Sequence, residues 1–296
     1  MHKLLHMGVK IRAHLALLLT TIIFGLHYTV AKKLMPGHFT PMQLIFLRLL
    51  FATAIFWIFQ RLFVPEKVDK KDLIRLAILG FFGFAANQSL FYEGLNLTSP
   101  VDASLIHILN PVLVLILAST IIREKITGFR LGGILLGSSG ALILILFGSS
   151  GSFNSSPWLG NILVTLNMVF YALYLVLLKP MVEKYHTSTI LKWVSLFGLL
   201  FIIPFSAKSV FALNVSAIDS FSWLSLAYII LFCTFLAYIL INFALKHVTA
   251  SAVSYYTYLQ PILATLTSVS IGMGTITIPK VIAALLIFTG VYLVNK

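Results

Sequence analysis

Ten apolar runs follow one another along the chain, and each is close to the roughly 20 residues that a helix needs to cross a 30 Å hydrocarbon core. They cover about 13–34, 41–60, 73–96, 99–122, 128–148, 158–179, 188–206, 222–245, 249–272 and 278–295. Pro36-Gly37, Pro65, Ser99-Pro100 and the Gly/Ser-rich stretch 148–156 punctuate them. The links are too short to hold a soluble domain, so any activity arises within or across a bilayer. Composition agrees. Hydrophobic residues make up 59% and charged residues 10%, against about 25% charged in a soluble domain. The expectation is an all-α integral membrane protein of ten transmembrane helices.

The formal charge of +13 sits between the runs, which points to orientation in the membrane and to no nucleic-acid partner. With the N-terminus inside, 16 Lys and Arg face the cytoplasm and 4 (Lys32, Lys33, Lys208, Lys280) face outward, while Arg48 falls within a span. Both termini are therefore expected in the cytoplasm. The first run lacks a small-residue cleavage site and is kept as a helix. Cys233, the single cysteine, excludes an intramolecular disulfide.

The two halves align with each other. Asn110-Pro111 and Gln260-Pro261 lie 150 residues apart, and that offset holds without a gap from Leu76-Ala77/Leu226-Ala227 to Gly140/Gly290. Along it Ser104 meets Ser254 and Ile126-Thr127 meets Ile276-Thr277. The opening runs align at an offset of 146, through Phe24/Phe170, Tyr28/Tyr174, Lys33/Lys179 and Met35/Met181. Five spans is an odd number, so the second half enters the membrane upside down. Inverted repeats around a midplane site are the mark of alternating-access transporters.

Arg48 early in the second run, Thr98-Ser99 between the third and fourth, Pro111 midway along the fourth and Glu124 at its inner end complete a pattern that resembles the drug/metabolite transporter superfamily, and within it the bacterial EamA-type permeases. The resemblance implies a first EamA-like five-helix repeat at 1–150 and an inverted second at 151–296. It also implies a multi-pass protein of the bacterial plasma (inner) membrane. Gly274 stands where the second half would repeat Glu124, a departure from symmetry.

Polar groups inside a span are costly and face a protein interior or a wet cavity. At the 1.5 Å rise per helical residue, His27, Asn87, Gln88, His107 and Asn110 reach the midplane from the first half. Asn167, Tyr171, Thr234, Tyr238, Tyr255, Tyr258 and Gln260 do so from the second. Gln88 and Tyr92 share a helix face, as do their repeat mates Tyr238 and Asn242. Ser104, His107 and Pro111 form a stripe matched by Ser254, Thr257 and Pro261. The candidate substrate-binding set is therefore His27, Asn87, Gln88, Tyr92, Ser104, His107, Asn110, Asn167, Tyr171, Tyr238, Asn242, Tyr255 and Tyr258. Pro111 and Pro261 each remove a backbone hydrogen bond and are expected to bend their helices. Arg48 needs a partner at its depth, and Glu93 and Asp102 are the in-span acids available; these three join the prolines as structural or gating candidates.

No metal-ligand spacing is present, and no cofactor is expected. No phosphate-cradling Gly-x4-Gly-Lys-Ser/Thr loop exists to drive a pump. The reading is a secondary transporter, an exporter or exchanger, of small polar organic metabolites. Amino-acid-like solutes are the first expectation, with the bilayer and a small-molecule substrate as partners, as a monomer or homodimer. An intramembrane serine hydrolase, from the Gly-x-Ser-Gly match at Gly137-Ser138-Ser139-Gly140, and a channel are the alternatives.

Overall fold

The computed structural model describes the backbone of residues 2–35, 37–122, 128–147, 157–248, 253 and 256–294, with side chains at all of these but 2–8, 111, 118, 122, 130, 134, 141, 144, 145, 217, 258, 291 and 294. Among the described residues all regular structure is helical. We label the rods α1 (His2–Leu34), α2 (Pro41–Phe63), α3 (Lys70–Leu97), α4 (Pro100–Ile121), α5 (Gly128–Phe147), α6 (Pro157–Lys184), α7 (Thr187–Phe211), α8 (Ser220–His247), α9 (Gln260–Ser270) and α10 (Ile278–Val294). Seven of them, α1–α4 and α6–α8, are long and apolar enough to cross a membrane. Their outward faces carry large apolar side chains, such as Phe205 at 74% exposure and Leu224 at 70%. A surface of that kind is stable against lipid and not against water. The chain is a multi-pass membrane protein.

Local sequence sets the helix ends. Thr40 and Gln43 cap α2 reciprocally, Thr40 N–H donating to Gln43 Oε1 at 2.8 Å and Gln43 N–H to Thr40 Oγ1 at 3.3 Å, with Pro41 in the first turn. Ser99 Oγ caps α4 by accepting from Asp102 N–H at 3.0 Å, ahead of Pro100. Asp219 caps α8 by accepting from Ser222 N–H at 3.1 Å, and its hydrogen bonding to Ser222 holds the carboxyl below the usual range. Two lysines close C-termini. Lys32 Nζ donates to Leu95 O (2.9 Å) and Asn96 O (2.8 Å) at the end of α3. Lys179 Nζ donates to Leu245 O (2.7 Å) at the end of α8. The orphan carbonyls of a helix terminus and its negative dipole end both favour a cation there. The alignment pairs Lys33 with Lys179, but Lys32 performs the matching job, so the register shifts by one residue at this point.

α3 and α8 each contain a π-helical segment, Phe81–Ala85 and Ile229–Leu236. These overlap at the 150-residue offset. α4 is interrupted between its segments Pro100–His107 and Asn110–Ile122. There Ile108 N–H and Leu109 N–H bond back only three residues, to Leu105 O (3.1 Å) and Ile106 O (3.0 Å). A 3-10 turn, Tyr256–Leu259, likewise precedes Gln260-Pro261 on α9. The expected proline bends thus take the form of tight turns just before each proline, the tightening that a lost donor and a crowded ring favour.

Packing pairs related elements. α2 runs antiparallel to α7: Gln43 Nε2 donates to Ser209 O (2.6 Å) at one end, and Lys192 Nζ to Gln60 Oε1 (3.0 Å) near the other. α5 runs antiparallel to α10, with Gly140 against Ala283 and Ile287 and Gly290 against Gly133 and Gly137. α1 packs on α8 and α9, while α6 packs on α3 and α4. The small residues on α5 and α10 serve this internal contact, which lets backbones approach closely.

α3 and α6 are fastened along their length. Thr98 donates to Asn161. Asn87 Nδ2 reaches Asn167 O (3.0 Å), and Asn167 Nδ2 returns to Asn87 O (2.8 Å). At the far end Asp72 accepts from Lys184 (2.6 Å) and from the Tyr185 hydroxyl (2.8 Å). Interhelical bonds in lipid are worth about 0.6–2 kcal/mol each. Asn87→Ala and Asn167→Ala are therefore each expected to lower unfolding free energy in detergent by about that amount, with the double variant close to the sum. Singles that leave the unfolding midpoint unmoved would show that the pair carries no weight.

Candidate functional site

Between the helices lies a cavity of about 70 Å³, several times the roughly 10–15 Å³ that one water needs. α1 contributes Phe24, His27 and Tyr28; α2 contributes Arg48; α3 contributes Asn87, Gln88 and Phe91; α4 contributes His107. From the second half come Asn167, Met168 and Tyr171 on α6, Tyr238 on α8, and Thr257 and Gln260 at the start of α9. Both halves of the sequence therefore wall one space.

Arg48 is 2% exposed and is held entirely by neutral oxygens. Its Nη1 donates to Gln88 Oε1 (2.7 Å) and to the Tyr92 hydroxyl (3.0 Å), and Nη2 donates to Cys233 O (3.1 Å). Nε donates to Thr234 Oγ1. This corrects the expectation of an acidic partner. Asp102, 1% exposed, faces α10, where its Oδ1 pairs with Lys280 Nζ at 3.2 Å. Glu93 is half-buried and forms no ion pair among the described residues. Depth along a helix placed both acids near Arg48; rotation about the helix axis turns them away from it.

A relay of polar groups runs from Arg48. Gln88 Nε2 donates to the Tyr238 hydroxyl at 2.7 Å, which leaves the Tyr238 proton without an acceptor among the described residues. Tyr92 also meets His27 Nε2 at 2.9 Å, and the His27 ring stacks on Phe91 at 5.3 Å. Tyr92 is fully buried, so it supports the wall from behind. His107 Nδ1 lies 2.8 Å from Ala103 O; it donates there, and in the neutral ring Nε2 carries the lone pair. Tyr28, Phe91 and His107 pack edge-on around one another at 5.2–5.6 Å. Tyr28 donates to Gln260 Oε1 at 2.9 Å.

The other candidates lie elsewhere. Ser104 donates back to Val101 O (2.8 Å), and Asn242 Nδ2 donates to Tyr238 O (2.9 Å), each within its own helix. Asn110 is fully buried, neither amide atom is paired among the described residues, and it is not part of the cavity lining. Pro261 is buried below Gln260. Tyr255, Ser254 and Glu124 lie outside the described residues, as do the side chains of Pro111 and Tyr258. Phe24, Tyr28, Phe91, Met168, Thr257 and Gln260 line the cavity without having been in the candidate set. Gln260 and Thr257 carried a polar signal at the right depth, whereas Phe24, Phe91 and Met168 are indistinguishable in sequence from lipid-facing residues.

Ser139, the nucleophile of the hydrolase alternative, is exposed, and its Oγ donates to Leu135 O at 2.6 Å. No histidine is bonded to it among the described residues, so the geometry lends that alternative no support.

The EamA-like transporter family model matches residues 11–146 and again 158–296. The uncharacterized transporter YyaM of Bacillus subtilis (strain 168) is 31% identical, over 94% of this chain and 92% of its own length. An uncharacterized transporter of Archaeoglobus fulgidus is 25% identical over 85% and 86%. A probable terminal-alkyne amino-acid exporter of Streptantibioticus cattleyicolor is 22% identical over 76% and 74%. A crystal structure at 18% identity superposes over 98% of both chains with a TM-score of 0.64, a likeness of fold.

Proposed function

Because the chain belongs to the EamA-like transporter family, we propose that it is a ten-crossing secondary transporter, an exporter or exchanger of a small polar organic metabolite, working by alternating access. The observation that carries this reading is a cavity walled by polar side chains from both halves. Inversion of the halves is supported by α2 with α7 and α5 with α10. These pairs are repeat mates, and mates that pack antiparallel belong to repeats of opposite orientation in the membrane. The rocking of one half against the other exposes the cavity first to one side and then to the other. An even number of crossings and the lysine and arginine bias put both termini in the cytoplasm. The bacterial relatives favour a bacterial plasma membrane, and the amino-acid exporter among them favours an amino-acid-like solute and export.

The test is counterflow in liposomes holding the purified protein. Saturable exchange, unaffected by Ser139→Ala, is the expected result; flux rising linearly with concentration would make the protein a channel instead. His107→Ala and Tyr238→Ala each take one polar group from the wall and are expected to lower flux about tenfold, a loss of roughly 1.4 kcal/mol of binding, with membrane insertion intact. Unchanged flux in both variants would take the cavity out of the transport path.

A further inference from the structure

We propose that the cavity takes a solute with one carboxylate, no ammonium group and a flat apolar body, an acylated aromatic amino acid being of this class. The proposal rests on the carrier reading above and narrows its substrate.

The first ground is charge. Arg48 brings a full positive charge into the wall, and four of its five N–H groups go to uncharged oxygens. Hydrogen bonds of that kind satisfy the donors but leave the charge uncompensated. Among the described residues no Asp or Glu lines the cavity, and the buried acid Asp102 is occupied by Lys280. A buried, unbalanced cation at membrane depth is expensive, and a monoanion entering the cavity removes that cost. A zwitterion leaves the net charge unchanged and sets its ammonium in the field of Arg48 with no carboxylate to receive it. A cation adds to the charge.

The second ground is the placement of free polar atoms. Arg48 and Tyr238 hold opposite ends of the Gln88 amide, and among the described residues one Nη2 hydrogen of Arg48 and the Tyr238 proton have no acceptor. A carboxylate has two oxygens to accept from such a pair. On α6 the buried Asn167 Oδ1, beside the His107 ring, accepts no hydrogen bond among the described residues while His107 keeps its proton on Nδ1. It asks for one N–H donor, which a neutral amide supplies. Phe24, Phe91 and Tyr171 give the remaining wall an aromatic face, suited to a planar body.

The probes are N-acetyl-L-phenylalanine, L-phenylalanine and L-phenylalaninamide, which at about pH 6 carry one aromatic body at net charge −1, 0 and +1. Binding is measured on the purified protein, and counterflow in liposomes. N-Acetyl-L-phenylalanine is expected to bind at least about tenfold more tightly than L-phenylalanine, with no measurable binding of the amide, because like charges brought together in a dry site cost several kcal/mol. Arg48→Gln keeps a hydrogen-bonding group without the charge, and the ratio is expected to fall towards one. If that variant does not fold, the ratio in the unaltered protein decides alone. Equal or tighter binding of the zwitterion or the cation overturns the proposal, as does binding of none of the three. Saturable counterflow of the zwitterion or the cation would leave the carrier reading standing while this one falls. No saturable counterflow of any solute, in vesicles loaded with a whole metabolite extract, would remove the carrier reading itself.

Discussion

Gly290→Leu is expected to leave almost no folded protein. Gly290 faces the backbone of α5: a Cβ at this position would stand 2.5 Å from Gly137 N and 2.6 Å from Gly133 O. Overpacking costs about 1–3 kcal/mol when neighbouring side chains can move aside, and here the obstruction is main chain. The two helices would have to separate along their whole contact. Gly140 repeats the arrangement from the other helix, its added Cβ falling 2.8 Å from Ala283 O, so a shift that relieves one glycine has little room at the other. The adjacent Thr289 is exposed, its hydroxyl bonded to Leu285 O at 2.7 Å. Thr289→Leu is therefore expected to behave as the unaltered protein. Size-exclusion profiles and thermal unfolding in detergent compare the two. A monodisperse Gly290→Leu protein with an unshifted melt would mean that the close approach of α5 and α10 is not needed.

The sequence carried the membrane-length helices because a bilayer imposes one length and one polarity on every crossing. It carried the depth of the polar layer for the same reason: His27, Gln88, His107 and Tyr238 are placed by helical rise alone. Rotation about each helix axis is set by packing, which no ruler along the chain measures. Arg48 shows the difference. Its need for partners is met, and the partners are not the in-span acids but Gln88, Tyr92, Thr234 and the Cys233 carbonyl. The π-helical segments of α3 and α8 left no signal either. An extra residue within a turn alters the phase of the helix and not its composition. Lys280 was counted among the loop charges of the outer side because it lies near the end of an apolar run; in the fold it is 4% exposed.

That buried lysine sets the second large effect. Lys280 Nζ lies 3.2 Å from Asp102 Oδ1 and donates to Thr275 O at 3.1 Å, which ties the start of α10 to the start of α4. Asp102 Oδ2 accepts from Ser99 at 2.8 Å, but Oδ1 has no second ligand. Removing one member of a buried pair leaves the other as an unbalanced charge and costs about 3–5 kcal/mol, whereas replacing both with apolar groups of similar size is often neutral. Lys280→Met and Asp102→Leu are each expected to destabilise the protein by about that amount. The double variant is expected to recover most of the loss, so the two changes are far from additive. Unfolding in detergent at fixed pH measures all four species of the cycle. Singles that cost under about 1 kcal/mol and simply add, as exposed pairs do, would show that the contact is solvated and holds nothing together. Strong coupling would establish a charged tie between helices drawn from opposite halves of the chain. The matching position in the other half, 150 residues from Asp102, is Ala252. Under the proposed alternating access, the end that carries this pair must break it, or move α4 and α10 as one body, before that side opens.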